Sequence, residues 1–161
     1  MRFAAKLVRG AYMAAERDLA ASMGVPSPVC ETKEDTDAVY DGTVRRLMAT
    51  AADGDELLVA THNERSVRRG LAAIAELGLP RDGPVSFAQL LGMRDNVSLA
   101  LGRDGYSVYK YVPYGPVDLV VPYLLRRVDE NSSASSMLGG LARERAEISR
   151  EILRRLTGRR Q

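Results

Sequence analysis

The chain has 161 residues, 45% of them hydrophobic and 27% charged, with a formal net charge of +2. That length and balance suit one soluble globular domain or part of a larger one, and so weak a net charge carries no field that would recruit nucleic acid. No apolar run approaches the roughly 20 residues of a membrane span, while a single cysteine, Cys30, and a single histidine, His62, exclude an internal disulfide framework and the usual Cys/His zinc patterns.

The N-terminus has no long apolar stretch of the kind found in a secretory leader and no transit-type leader, and the lone cysteine fits a compartment that is not oxidising. "FAAKLVR", residues 3–9, reads as a short buried strand ending at Gly10, followed by an alanine-rich helix closed by Gly24. After a proline-containing loop, Thr32 and Asp35 form a capping-box start for a helix carrying Tyr40, Val44, Leu47, Met48 and Ala51. "ELLVATH", residues 56–62, is a second strand. Asn63 is the N-cap of the next helix, with Val67, Leu71, Ile74 and Ala75 on one face and Gly78 and Pro80 as its stop.

"PVSFAQLLG" is a third strand, with a short helix ending near Gly102. "YSVYKYVPYG" is a fourth, and Pro116 suits the first turn of a helix that contains Pro122 and the pair Arg126 and Arg127. Residues 131–137 form a polar connector to a terminal amphipathic helix marked by Leu141, Ile148, Ile152 and Leu156. Rounds of strand then helix, with apolar rather than alternating strands, give an α/β class with a parallel sheet covered by helices.

In such folds ligands bind at the carboxyl edge of the strands. That edge receives Lys6, Arg9 and Tyr12 from the first unit, Thr61, His62 and Asn63 from the second, Gln89 and Leu91 from the third, and Tyr111 and Tyr114 from the fourth, whose helix adds Arg126, Arg127 and Glu130. Each also has an ordinary structural reading: a core histidine bonded to backbone, tyrosines (Tyr123 among them) that pack, an arginine in an ion pair. The pairs Arg45–Arg46, Arg68–Arg69 and Arg154–Arg155 read as solvated helix faces. Neither a glycine-rich phosphate loop nor a Ser-His-acid set is present.

The segments "AKLVRGAYMAAER", "VATHN", "FAQLLGM" and "YKYVPYGPVDLVVPYLLRRVDEN" together resemble the C-terminal half of proline dehydrogenase, most of all its mitochondrial, eukaryotic type. The resemblance runs from residue 4 to about 156. It implies a flavoenzyme built on a distorted (β/α)8 barrel that oxidises L-proline to 1-pyrroline-5-carboxylate and passes electrons through FAD to membrane quinone, on the matrix side of the mitochondrial inner membrane. On that basis Arg126 and Arg127 would clamp the proline carboxylate, and Lys6 would lie near the flavin N5 as the catalytic cation. Val8, Arg9, Gly10, Thr61, His62 and Asn63 would contact FAD. Tyr12, Leu91 and Tyr111 would pack on the proline ring, Glu130 would orient groups at the edge, and no metal is implied.

A tyrosine at 111 favours proline over its hydroxylated form, since hydroxyproline-oxidising relatives carry a smaller residue there. Residues 1–161 would supply strands five to eight of the barrel, with the first half upstream. Membrane association would be peripheral, through the full-length enzyme. The alternative is a non-catalytic remnant that associates with an intact enzyme, and an arginine-rich nucleic-acid binder is a distant third.

Overall fold

The computed structural model describes residues 2–132 and 137–157, with the side chains at 128–145 and 151 outside that description. Four strands, β1 (Ala4–Leu7), β2 (Glu56–Ala60), β3 (Val85–Leu90) and β4 (Val108–Tyr111), form one parallel sheet in the order β1-β2-β3-β4. Six helices connect or follow them: α1 (Met13–Met23), α2 (Lys33–Thr50), α3 (Glu64–Glu76), α4 (Asp95–Arg103), α5 (Val117–Ser132) and α6 (Met137–Leu156). Sequential order with parallel pairing requires every connection to cross the same face, so the helices collect on one side.

The register shows which side each residue takes. Lys6 stands opposite Leu58 and Leu58 opposite Ser86, while Ala60 faces Ala88 and Leu90 faces Tyr111. Because side chains alternate along a strand, these line one face and Leu7, Leu57, Val59, Val85, Phe87 and Val108 line the other. The second set forms the core with Tyr40, Val44 and Met48 of α2, Val67, Ala73 and Ile74 of α3, and Leu101 of α4. Val59 and Phe87 are fully buried there. Gly70 of α3 sits against the Phe87 ring, where an added Cβ would come within 3.2 Å of it.

Helix boundaries follow local chemistry. Thr32 accepts the Asp35 backbone N–H at 3.1 Å and Asn63 accepts that of Ser66 at 3.1 Å, so both expected N-caps form. Gly24 closes α1 in the left-handed region, φ 63°. Pro116 stands just before α5, its carbonyl accepting the Leu119 and Val120 N–H groups, and Pro122 lies within the helix.

Several expectations change. The first strand is Ala4–Leu7 rather than residues 3–9, and it is not buried: Ala4 and Lys6 are exposed, and β4 alternates likewise. Among the described residues α2, α3 and α4 pack the core on one face of the sheet, while Ala4, Lys6, Tyr109 and Tyr111 of the edge strands stand exposed on the other. The second strand ends at Ala60 because Thr61 and Asn63 turn into the cap of α3, the Thr61 hydroxyl accepting the Asn63 N–H at 3.1 Å. α5 continues through Ser132 and α6 starts at Met137, which shortens the expected connector; residues 133–136 lie outside the described ones.

Candidate functional site

β1 and β4 are the two edges of the sheet, three strand spacings or about 14 Å apart along a flat sheet. Yet the Lys6 ammonium lies 5.0 Å from the centre of the Tyr111 ring. Two long side chains leaning toward each other across this face span that separation. The Tyr111 ring packs at 5.8 Å against Tyr123 of α5, tilted by 52°. The Arg127 guanidinium lies 5.1 Å from the Tyr123 ring and 5.8 Å from that of Tyr12.

Tyr12 follows β1 and holds a left-handed backbone, φ 60°, at the head of α1. The contacts form one chain, Lys6 to Tyr111 to Tyr123 to Arg127 to Tyr12, drawn from β1, β4, α5 and the loop after β1. Cations over aromatic faces are attracted by the ring quadrupole, which sets two positive groups around one rim. Burial first, and the neighbouring Tyr111 next, hold the Tyr123 phenol above its ordinary pKa, while its hydrogen bond with Arg127 acts in the opposite sense.

The other expected residues divide by strand parity. Arg9 points to the helix face, with an N–H group 2.6 Å from Asp37 and 3.2 Å from the Ser66 hydroxyl and its guanidinium 5.6 Å from the Tyr40 ring. Its side chain is thus committed to α2 and α3, and what residues 8–10 present at the rim is the exposed Val8 side chain and backbone, with Gly10 at φ 71°. Thr61 is buried, Asn63 is the cap of α3, and Gln89 is also buried on the helix face, bonded to the Thr61 carbonyl at 3.4 Å and the Ser98 hydroxyl at 2.8 Å.

His62, on the opposite parity from Thr61, accepts the Leu90 N–H on Nε2 at 3.0 Å. Burial, then the charges of Lys110 and Arg94, push its pKa below the usual value. Leu91 is exposed at the tip of the turn after β3, and Tyr114 is 92% exposed. Arg126 is solvent-exposed, about 100° around the helix from Arg127 as adjacent helical residues must be; Glu130 lies on α5 with its side chain outside the described ones.

Sequence reasoning read Tyr123 as packing only and passed over Lys110. The spacing of Tyr123 four residues before Arg127 was the available signal, since i and i+4 share a helix face. An apolar cavity of about 140 Å³ lies at the opposite, amino end of the strands, between Phe3, Leu47, Leu57, Leu79 and Val85, away from these cations and tyrosines. The remaining arginine pairs are partly neutralised on the surface: Arg45 pairs with Glu76, Arg68 with Glu64 at 2.8 Å and Arg69 with Asp41 at 2.5 Å. Among the described residues there is no cluster of potential metal ligands, and no helix is long and apolar enough to cross a membrane.

Fold and rim define a parallel α/β domain of enzyme type, with two cations and three tyrosines gathered at the carboxyl ends of the strands. The chain belongs to the proline dehydrogenase family, whose family model, described as "Proline dehydrogenase", matches residues 1–139. It is 46% identical to hydroxyproline dehydrogenase of Bos taurus over 162 residues, covering 99% of this chain and 34% of that protein. It is 50% identical to proline dehydrogenase 1, mitochondrial, of Homo sapiens over 159 residues, covering 96% of this chain and 26% of that protein. Among solved structures, proline utilization A from Bdellovibrio bacteriovorus inactivated by N-propargylglycine superimposes with a TM-score of 0.77 at 30% identity, over 87% of this chain and 14% of that one. The chain thus spans about a third or less of the length of these relatives.

Proposed function

We propose that this chain is the substrate-holding half of an FAD-dependent enzyme that oxidises L-proline to 1-pyrroline-5-carboxylate. The observation that carries the reading is the convergence of Lys6 and Arg127 through Tyr111 and Tyr123 on one rim. A small amino acid needs a cation for its carboxylate and apolar surface for its ring, and the rim offers both. Arg127 binds the carboxylate through its donor fork, and Arg126 reaches it from the next position on α5. Tyr12, Tyr111 and Leu91 enclose the ring and exclude water from the carbon next to nitrogen.

The donor set also fits a flavin: an exposed ammonium at Lys6, a stretch at Val8–Gly10 beyond the last paired residue of β1, and a half-buried imidazole at His62. Lys6, Val8, Arg9, Gly10, Thr61, His62 and Asn63 would hold it, Arg9 and Asn63 through backbone. Bound there, FAD would supply a hydride acceptor for the ring carbon. Lys6 opposes the negative charge that accumulates beside it, and Glu130 orients the arginines.

The open face and two unpaired sheet edges support completion of a barrel by a further half, since exposed edges template pairing. The same surface supports the second reading, association with an intact enzyme without added turnover. The names of the relatives support a mitochondrial setting, at the inner membrane with quinone as acceptor. Purified chain supplied with the missing half, FAD, proline and a dye acceptor should reduce the dye in proportion to proline; flavin-free protein and no proline-dependent reduction would reject the catalytic reading. Tyr111 sets the choice of substrate, its ring filling the rim between Lys6 and Tyr123. Tyr111→Ser should raise hydroxyproline turnover relative to proline by about one decade, the worth of 1–3 kcal/mol of pocket fit. An unchanged ratio would remove Tyr111 from that role.

A further inference from the structure

Lys110 of β4, paired with Gln89, points to the helix face, away from Lys6 and Tyr111. Its ammonium lies 2.6 Å from Asp95 at the head of α4 and donates to the carbonyls of Met93 at 2.8 Å and Leu90 at 3.4 Å. A lysine ammonium has three N–H donors in a tripod; here two are bonded to carbonyls of the turn and Asp95 is the counter-ion. The two carbonyls belong to one turn: the Leu90 carbonyl also accepts the Met93 N–H at 3.1 Å, and Gly92 takes φ 77° within it. Leu91 sits at the tip, its N–H donating to the Tyr111 carbonyl at 3.0 Å. The Leu90 N–H, at the start of the same turn, is the group that His62 accepts on Nε2 at 3.0 Å.

We propose that Lys110 is a positioning residue: by clamping the Leu90–Met93 turn it fixes where Leu91 meets the ligand and locks His62 as the Nδ1–H tautomer. A nitrogen that accepts a hydrogen bond carries no proton, so the one proton of a neutral imidazole is confined to Nδ1. His62 then presents a constant donor at the end of β2. The charged groups packed around it act in the same direction. Lys110, with Asp95 as its counter-ion, and Arg94 at the left-handed N-cap of α4 both disfavour an imidazolium, and burial disfavours it most. The purpose assigned to the clamp rests on the rim being the proline and flavin site, while the clamp itself is measurable without any ligand.

His62 is the only histidine of the chain, so long-range 1H–15N correlation on the uniformly 15N-labelled protein reads its tautomer without assignment. In the wild type the proton is expected on Nδ1 alone, with a protonation midpoint below the ordinary value of about 6.5. In Lys110→Met the tautomers should mix and the midpoint should move up. Lys110→Arg keeps the charge but replaces the tripod with a planar fork, so it should keep the low midpoint and lose the single tautomer. A wild-type imidazole protonated on Nε2 would overturn the proposal without recourse to any variant, as would a Lys110→Met spectrum identical to wild type. Flavin and proline binding are scored separately: a locked Nδ1–H tautomer in a protein that binds neither leaves the clamp standing and removes the proposed function, and the converse result does the reverse.

Discussion

The two faces of the sheet follow opposite rules. On the helix side, Val59, Val85 and Phe87 meet Val44, Met48 and Ile74, and the few polar groups there are satisfied by one another: Gln89 by Ser98 and Thr61, Arg9 by Asp37 and Ser66. On the open side, Lys6 and Tyr111 stand exposed and lean on each other, with Tyr123 of α5 against the Tyr111 ring. Burial and satisfied hydrogen bonds stabilise the first face, whereas the second keeps a cation and aromatic rings at a surface where they contribute little to stability. A parallel sheet normally buries both faces, and under the function proposed above the open face is the one that takes the substrate.

If the contrast holds, damage to the covered face should cost stability and damage to the open face should cost binding. The largest effect is expected at Phe87→Ala, which removes a fully buried ring from the centre of the core. It should destabilise the fold by about 3–5 kcal/mol in urea unfolding; a loss under about 1 kcal/mol would show that the helix side is not close-packed. Next comes Arg127→Met in the complete enzyme, where loss of a charge-assisted bond of about 1.5–3 kcal/mol should raise the proline requirement by one to two decades. The urea midpoint should barely move, and unchanged proline kinetics would rule out carboxylate binding by Arg127.

A smaller effect follows from His62. Its pKa in the folded chain lies below the unfolded value of about 6.5, so the unfolded state takes up the proton first. Stability from this group is complete above pH 6.5 and declines as pH falls through that value toward the folded pKa. His62→Gln should flatten the decline just below pH 6.5, and the same slope in both proteins would assign it to other groups. The least effect is expected at Arg45→Ala, which breaks an exposed pair with Glu76 and should cost no more than about 0.5 kcal/mol by thermal melting. A larger cost there would mean that surface charge, and not the core, separates the two faces.

Much of this was legible in the chain itself. The caps at Thr32 and Asn63 could be read because one side chain and one backbone N–H three residues on decide them. The strands showed as apolar runs, and the matched blocks led to the proline dehydrogenase family. What the runs could not show was one-sided burial. "FAAKLVR" reads as buried because its residues are apolar, but exposure at Ala4 depends on the absence of a covering layer, which no local pattern encodes.

Lys6, Arg127 and Tyr111 were singled out by type and place, but their convergence depends on distances across the folded sheet. Arg9, Thr61 and Gln89 lie near strand ends just as they do, yet face the helices. That division comes from the parity of the register, set by pairing between strands more than 20 residues apart in sequence. Composition and periodicity determined the α/β class and the element order, because those rest on interactions within one turn or one strand, and the four matched blocks carried the resemblance to the family. Tertiary structure alone decided which face of the sheet each strand residue takes and that Lys110 bonds the turn beside His62, since both depend on distances between segments that only the folded sheet brings together.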